Sequence, residues 1–431
     1  MQTRHYRWNI ALFIIPIAIM AVLNLTKMDG KAQVSEMEKR KPQVWPSFSI
    51  DKLINDSLLK EYDNYFSDHF AFRNAFVELG MSMKELKGTK GSDGVSLVIN
   101  KGGDNTSEGE KRSSDPETVP AMGTSESGDD DGVVVSAKAS KYLIISDRAM
   151  LLYQYSSASA EAYAKAINHL QSMIDPSVRV YSMLIPSQVE FVESEDLRKL
   201  SDSEKQAFDH VYESLNKPIR SVPAYTNVEA HKKEYVYFRT DHHWTALGAY
   251  YGYEALVQTM GFKPVPLSAY KQREYSEFLG TAYAATLNAG MKNHPDTVTT
   301  YQPYVEHEYM VYQDGVLGVK KMLVEDKLPA DGRGGYAVFL GGDFTMSRIT
   351  TEIKNGKKLM LIKDSYANAL VPFLLPHFQE IEIVDPRYFK GNLVSEINNS
   401  GITDVLLLNG PVVTTYNGIA KLIEERLSFQ S

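Results

Sequence analysis

The stretch Leu359-Met360-Leu361-Ile362-Lys363-Asp364-Ser365-Tyr366 places an apolar run directly before a polar turn. A short, continuous apolar run is typical of a strand that is buried on both faces of a sheet. A helical pattern follows over residues 367–378. The stretch therefore predicts a strand, a turn and a helix, with Ser365 in the turn.

The same alternation of short apolar runs and helical spacing continues over much of the chain. Further strand-like runs lie at residues 178–185, 235–239, 381–384 and 405–408. Helical spacing recurs at residues 160–173, 203–215, 245–260 and 418–427. This alternation predicts an α/β fold with a mostly parallel sheet and helices on both faces. In such a sheet the chemistry lies where the strands end at their carboxyl edge.

Composition narrows the classes of protein to consider. The chain has 431 residues, of which 43% are hydrophobic, enough apolar content for a sizeable core. Its net charge of −8 provides no global attraction for nucleic acid. It has no cysteine, which excludes a disulfide framework, a thiolate metal site and a cysteine nucleophile.

The N-terminus predicts the compartment. Arg4 and Arg7 precede an uncharged run from Trp8 to Leu25, which as a helix would be roughly 27 Å long and could span a bilayer core. The basic end should stay in the cytoplasm, so the remainder would be exported. We expect residues 1–27 to form an uncleaved single-pass membrane anchor, with a cleaved signal peptide as the alternative.

Three segments separate this anchor from the alternating region. Residues 28–50 are polar and contain two prolines, and they are interpreted as a stalk. Residues 51–87 have helical spacing. Residues 101–132 have almost no large apolar residue and are expected to be a disordered insertion. Because strand-like runs flank it at 95–99 and 142–145, the insertion would be a long hairpin loop within one domain over residues 51–431.

Polar residues at three predicted strand ends could carry chemistry. Ser365 would present its hydroxyl at the sheet edge, close to a helix N-terminus that favours a developing oxyanion. The alternative is that Asp364 or Ser365 caps the following helix. Asn409 follows a run of leucines and Gly342 lies in a glycine pair, so either could supply an oxyanion donor, or each could be a plain turn residue.

The second candidate is the pair Asp241 and His243, two residues apart before a helical pattern. A carboxylate there can orient the imidazole two residues on, leaving the other ring nitrogen to face a serine hydroxyl. The alternatives are that Asp241 caps the helix, or that His242 and His243 bind zinc. No familiar metal-ligand spacing accompanies them, so we expect no metal and no other cofactor. A serine, an Asp-x-His and an amide at strand ends are together what serine-dependent acyl transfer requires.

These strings resemble the DHHW protein family of Gram-positive bacteria. The resemblance is carried mainly by residues 237–250, Tyr-Phe-Arg-Thr-Asp-His-His-Trp-Thr-Ala-Leu-Gly-Ala-Tyr. It extends to residues 65–73, 185–187, 278–281 and 363–366. That family is similar to the SGNH-hydrolase-like domain of the alginate O-acetyltransferases of the AlgJ and AlgX types.

The resemblance implies an SGNH-hydrolase-like fold and a catalytic set of Ser365, His243 and Asp241. The choice of His243 over His242 follows from spacing alone. Arg239, Trp244 and Tyr366 lie beside these residues and are candidates to bind substrate.

Three functions are compatible with this set. The first is an extracytoplasmic O-acyltransferase that acts on a cell-surface polysaccharide, with acetyl as the expected acyl group. The resemblance implies that a multispanning membrane acyltransferase would supply this group. The second is an esterase or deacetylase with the same residues, and the third is a non-catalytic envelope protein that binds polysaccharide.

Overall fold

The computed structural model describes residues 12–15, 18–19, 22, 43–54, 57–73, 76, 79–80, 95–100, 140–313, 316–329 and 334–428. The chain divides into two compact units, residues 1–90 with 330–332 and residues 91–329 with 333–431. The predicted insertion at 101–132 lies outside the described residues, as does most of the predicted anchor. Within the described part of the chain, no helix combines the length and the apolar character that crossing a bilayer would require.

The described part of the first unit contains the short helices Ile50–Ile54 and Ser57–Asp68. Trp45 contacts the second of them edge-on, with ring centroids 5.4 Å from Tyr62 and 5.1 Å from Tyr65. The helical spacing that the sequence shows in this region is therefore present over 50–54 and 57–68.

The described part of the second unit contains thirteen strands. They are β1 (Val95–Asn100), β2 (Ser140–Ile145), β3 (Arg148–Leu151), β4 (Arg179–Leu184), β5 (Arg220–Ser221), β6 (Lys271–Phe278), β7 (Asp296–Gln302), β8 (His307–Gln313), β9 (Val316–Lys321), β10 (Met346–Thr351), β11 (Lys358–Lys363), β12 (Glu380–Val384) and β13 (Asp404–Asn409). Its helices are Ser157–Met173, Glu195–Arg198, Glu204–Glu213, Ala224–Ala230, Ala246–Thr259, Thr281–Thr286, Ala289–Asn293, Leu393–Ser400 and Gly418–Leu427.

Eight strands form the central sheet, in the order β5-β4-β13-β11-β12-β10-β8-β9. The first five run parallel, whereas β10, β8 and β9 join antiparallel. The sheet is therefore mixed rather than mostly parallel. Four of the parallel strands were predicted, and the two-residue strand β5 was not. The sequence pattern did not indicate the strands between residues 271 and 351, because several of them carry polar residues on one face.

Helices cover both faces of the sheet, as predicted. Side chains alternate along each strand, so Leu359 and Leu361 pack with Trp244, while Met360 and Ile362 pack with Ile167 on the other face. The helix Ala246–Thr259 lies on the first face. The helices Ser157–Met173 and Gly418–Leu427 lie on the second.

The hairpin around the insertion was also predicted correctly. β1 pairs antiparallel with β2, and Val95 lies opposite Ile145 while Asn100 lies opposite Ser140. The two strands meet in register although 39 residues separate them along the chain, from 101 to 139. The insertion therefore connects two strands of one sheet and is not a boundary between domains.

Two predicted elements differ in the structure. Residues 367–378 form successive 3₁₀ turns, Ser365–Ala369, Val371–Phe373 and Leu375–His377, because Pro372 and Pro376 lack the N–H that an α-helix needs. Residues 235–239 are not a strand and contribute one bridge, between Tyr237 and Trp244. The backbone N–H groups of Arg239 and Thr240 bind the carboxylate of Asp296 instead of a neighbouring strand.

Candidate active site

The structure brings Asp241, His243 and Ser365 into one hydrogen-bonded chain. His243 Nδ1 lies 2.6 Å from Asp241 Oδ1, and His243 Nε2 lies 2.8 Å from Ser365 Oγ. Asp241 and His243 are buried and Ser365 is half-buried. The imidazole of His243 therefore joins a carboxylate two residues away to a hydroxyl 122 residues away along the chain.

Ser365 begins the 3₁₀ turn directly after β11, at the carboxyl edge of the sheet. Asp364 caps this turn, since its Oδ1 accepts from the Tyr366 N–H at 3.0 Å and its Oδ2 from the Gly410 N–H at 2.8 Å. The capping alternative is therefore correct for Asp364. Because Asp364 is the cap, the Ser365 hydroxyl remains available to His243.

Asp241 does not cap the helix that follows it, because Thr245 is the N-cap of Ala246–Thr259. Its second oxygen, Oδ2, accepts from the Thr281 backbone N–H at 2.9 Å and from the Thr281 hydroxyl at 3.0 Å. Burial alone would raise the pKa of Asp241, but the neighbouring imidazoles and these hydrogen bonds outweigh it and hold that pKa well below its usual range. Asp241 is therefore an ionised carboxylate with both oxygens engaged.

Gly280 allows this close approach between Asp241 and Thr281. A Cβ added at Gly280 would lie 2.3 Å from the Asp241 Cβ and 2.4 Å from its Oδ2. Real Cβ atoms do not come this close to other heavy atoms, so any side chain at position 280 would displace the carboxylate.

Asp296 orients the loop that carries Asp241, and no local sequence pattern indicated it. Its fully buried carboxylate accepts from the Thr240 N–H at 2.8 Å, the Thr240 hydroxyl at 2.6 Å and the Arg239 N–H at 3.0 Å. The phenol of Tyr235 and the guanidinium of Arg239 also donate to it. Arg239 additionally binds Asp147 at 2.8 Å, so the structure places it in an ion-pair network with Asp147 and Asp296. Its role in binding substrate stays a prediction.

Trp244 and Tyr366 join the two loops of the site. Trp244 is fully buried in the core, and its indole donates to the Tyr366 carbonyl at 2.8 Å. Tyr366, 7% exposed, donates its hydroxyl to the His242 carbonyl at 2.7 Å. These contacts account for both side chains as links between the segments that carry His243 and Ser365. They leave Trp244 no exposed surface with which to bind substrate.

The two predicted oxyanion residues occupy different surroundings. Asn409 is fully buried, and its Oδ1 accepts from the Tyr163 hydroxyl at 2.7 Å, while its Nδ2 has no partner among the described residues. No hydrogen bond joins Asn409 to Ser365, although both are described, so this role stays a prediction. Gly342 has a positive φ and lies in a turn, where its N–H donates to the Phe339 carbonyl. This N–H is therefore not free to donate to an oxyanion.

The turn at Gly342 instead positions Asp343, a residue that sequence reasoning missed. Asp343 Oδ1 accepts from Asn368 Nδ2 at 3.0 Å and from the buried Lys363 Nζ, and its Oδ2 accepts from Arg387 at 3.0 Å. Lys363 Nζ also donates to Asn368 Oδ1 at 2.8 Å. Burial alone would raise the pKa of Asp343, but the two cations keep it well below its usual range. This network ties the Ser365–Ala369 turn to the ends of neighbouring strands.

The metal alternative conflicts with these hydrogen bonds. Asp241, His242 and His243 each offer a ligand atom, and these atoms lie within 4.8 Å of one another. Both nitrogens of His243 and both oxygens of Asp241 are already engaged, so a bound ion would have to break the chain from Asp241 to Ser365. The residues therefore fit a hydrogen-bonded triad better than a metal centre.

Comparisons with known proteins find a family and several similar structures. The family model described as "DHHW protein" matches residues 111–384, which include Asp241, His243 and Ser365. A DHHW family protein from Eubacterium siraeum is 33% identical, with a TM-score of 0.60 over 66% of this chain and 94% of that one. No protein among those with curated descriptions matches the sequence.

One more distant structure shares the fold, and another is only slightly similar. Bacillus cereus PatB1, solved with a sulfonyl adduct, is 18% identical with a TM-score of 0.55, over 66% of this chain and 98% of that one. The O-acetyltransferase domain of Pseudomonas putida AlgJ is 13% identical with a TM-score of 0.36, over 66% of this chain and 96% of that domain. The second similarity is too slight to support an inference about this chain.

Proposed function

The chain belongs to the DHHW protein family, and from that premise we propose that it is an O-acyltransferase that works through an acyl-serine at Ser365. The observation that carries the proposal is the 2.8 Å contact between Ser365 Oγ and an imidazole whose other nitrogen is bound by an ionised carboxylate. This arrangement of nucleophile, base and orienting group is the one that activates a serine hydroxyl.

In the first half-reaction Ser365 Oγ attacks the carbonyl carbon of an acyl donor and its proton passes to His243 Nε2. Asp241 holds the Nδ1–H and stabilises the imidazolium. The protonated Nε2 then returns the proton to the leaving oxygen as the donor's ester bond breaks. The acyl group is left on Ser365.

In the second half-reaction a hydroxyl of the acceptor attacks the acyl-serine and gives its proton to His243 Nε2. That proton passes to Ser365 Oγ as the acyl bond to the serine breaks, which restores the free enzyme. Ser365 is the first residue of its 3₁₀ turn, so its backbone N–H has no acceptor within the turn and can donate to the oxyanion in both steps.

Two further parts of the proposal concern the acyl group and the acceptor. We propose an acetyl group and a cell-surface polysaccharide, supported by the sequence resemblance to O-acetyltransferase domains and by family membership. PatB1, a protein of the same fold, carries a sulfonyl adduct in its solved structure. Sulfonyl reagents react with activated serine hydroxyls, so the same reagents are suitable probes for Ser365.

We also propose that the N-terminal run holds the enzyme at the outer face of the cell membrane, where a multispanning acyltransferase would deliver the acyl group. The uncharged stretch from Trp8 to Leu25 and its basic flank support this location. N-terminal sequencing of the protein recovered from the membrane fraction tests it. Recovery of a shortened chain in the medium would contradict the anchor and favour a cleaved signal peptide.

The central experiment is acetate release from a chromogenic acetyl ester, together with mass detection of an acyl group on Ser365. We expect Ser365→Ala to abolish both, and Ser395→Ala, a half-buried serine of the helix Leu393–Ser400, to leave both intact. Cleavage of the acetyl ester that becomes faster when an oligosaccharide is added indicates a transferase. Cleavage at an unchanged rate indicates an esterase. Full activity in folded Ser365→Ala would leave a non-catalytic polysaccharide-binding protein as the better hypothesis.

A further inference from the structure

His242 lies beside the proposed base and has no part in the mechanism above. The centroids of the His242 and His243 rings are 3.6 Å apart, and the side chain of His242 is 9% exposed. Its Nδ1 lies 2.6 Å from the Thr281 hydroxyl oxygen. Its Nε2 is buried and has no hydrogen-bond partner among the described residues.

The protons of this cluster fix the tautomer of His242. Asp241 is an ionised carboxylate, which only accepts, so the single hydroxyl proton of Thr281 goes to Asp241 Oδ2 at 3.0 Å. Nδ1 of His242 must therefore donate to the Thr281 oxygen. Burial and the neighbouring His243 lower the pKa of His242 to about 3, which keeps the ring neutral at neutral pH. Nε2 is then a bare acceptor.

Nearly all buried polar atoms in proteins have a hydrogen-bond partner, so this bare acceptor calls for a donor that arrives from outside the chain. The acyl group cannot be that donor, because a carbonyl oxygen and a methyl group offer no polar hydrogen. A hydroxyl group can. Among the participants in acyl transfer, the acceptor is the one that carries several hydroxyls.

Arg387 lies within electrostatic range of His242, since its positive charge is one of the causes that lower the pKa of that imidazole. Arg387 Nε and Nη2 bind Asp385 and Asp343, which hold the guanidinium in place, whereas Nη1 has no hydrogen bond to any described residue. The Arg387 side chain is 29% exposed. A hydroxyl can donate to the bare nitrogen of His242.

We propose that His242 Nε2 binds a second hydroxyl of the acceptor, next to the hydroxyl that attacks the acyl-serine, so that the enzyme selects acceptors with two adjacent hydroxyls. This inference rests on the proposed acyl-serine mechanism. The centroids of the two rings are 3.6 Å apart, so the two imidazoles are direct neighbours. His243 Nε2 would take the proton of the attacking hydroxyl while His242 Nε2 holds its neighbour in place.

The test uses two small acceptors with the full-length protein. Ethylene glycol carries two adjacent hydroxyls, and trimethylene glycol separates them by one more carbon. After acylation by a chromogenic acetyl ester, the measured quantity is the share of acetyl transferred to each diol rather than to water. We expect the wild-type protein to favour ethylene glycol by about two- to tenfold, the range of one hydrogen bond.

Two substitutions assign that preference to His242. His242→Asn keeps an amide that can donate to Thr281 but lacks an acceptor at the Nε2 position, and we expect the preference to vanish while acylation of Ser365 proceeds. His242→Gln reaches the Nε2 position with an acceptor oxygen and should restore it. Equal use of both diols by the wild-type protein, or a preference that persists in folded His242→Asn, overturns the proposal. Failure of the wild-type protein to form an acyl-serine overturns the mechanism instead.

Discussion

The phenol ring of Tyr336 lies parallel to the imidazole of His243, with centroids 3.8 Å apart and planes within 3° of each other. Tyr336 is itself held by an edge-on contact with Phe339 and is 7% exposed. The stacked ring covers one face of the imidazole and limits its rotation. Hydrogen bonds fix the two ends of His243, and this contact fixes its plane.

We predict that removing the stacked ring lowers activity without abolishing it. Tyr336→Leu should reduce kcat for ester cleavage by about two- to tenfold, because an aromatic pair contributes about 0.5–1.5 kcal/mol beyond burial. Tyr336→Phe keeps the ring and should retain near wild-type kcat. Steady-state kinetics of both variants, with KM reported separately, provides the measurement.

The control for this substitution is Phe208→Leu, which truncates an aromatic side chain in the core cluster on the opposite face of the sheet. It should lower the melting temperature without lowering kcat. A Tyr336→Leu protein that loses stability but keeps the wild-type kcat would show that the stack does not position His243.

Gly280 should be intolerant of any side chain. We expect Gly280→Ala to lower kcat by at least about 10²-fold, because the new Cβ would push the Asp241 carboxylate out of line with His243. Gly80→Ala is the matched control, since no heavy atom lies within 4 Å of its added Cβ. The measurement is the rate at which a fluorophosphonate labels Ser365 in each variant. Labelling of Gly280→Ala at the wild-type rate would contradict the close approach.

Glu204 should make stability fall as the pH rises. Burial raises its pKa from 4.5 to about 8, against the lowering effect of hydrogen bonds from the Ser187 N–H at 2.6 Å and the Ser187 hydroxyl. Between these two pKa values the folded protein retains a proton that the unfolded chain has released. Stability is therefore lost as the pH rises from about 4.5 to about 8, and no further loss arises from this group above that range.

The corresponding variant is Glu204→Gln, whose amide can accept from the Ser187 N–H and donate to the Ser187 oxygen without ionising. Its melting temperature should decline less steeply than that of the wild-type protein over the same pH range, and the advantage should be largest above about pH 8. Glu195→Gln, an exposed position, is expected to follow the wild-type curve. Parallel curves for Glu204→Gln and the wild-type protein would show that Glu204 ionises normally.

Local patterns predicted much of the scaffold. The apolar runs that became β4, β11, β12 and β13 are almost entirely buried on both faces, and such strands stand out in a sequence. The helix Ala246–Thr259 was equally clear, and Thr245 caps it. By contrast, β10, β8 and β9 carry exposed polar residues, so they lack the continuous apolar run of a buried strand. Side-chain spacing also suggested an α-helix that includes 371–378, but the prolines there lack the N–H that an α-helix needs.

The sequence predicted the three residues that the structure joins by hydrogen bonds, Asp241, His243 and Ser365, but not the residues that hold them in place. A serine after a buried strand and an Asp-x-His before a helix are recognisable because each is encoded within a few residues. The sequence likewise determined four of the five parallel strands, β4, β11, β12 and β13, and the hairpin of β1 and β2. Their apolar patterns are local, so they can be recognised without knowledge of the tertiary contacts.

Only the tertiary structure decided what surrounds those three side chains. Asp296 binds the loop before Asp241 across 56 residues, Gly280 leaves room for its carboxylate, and Tyr336 stacks on His243. The packed chain also encloses Trp244 in the core and leaves one nitrogen of His242 without a donor among the described residues. These features depend on which distant atoms meet at the carboxyl edge of the sheet. Burial and close contact are properties of the packed chain, and no local pattern of residues encodes them.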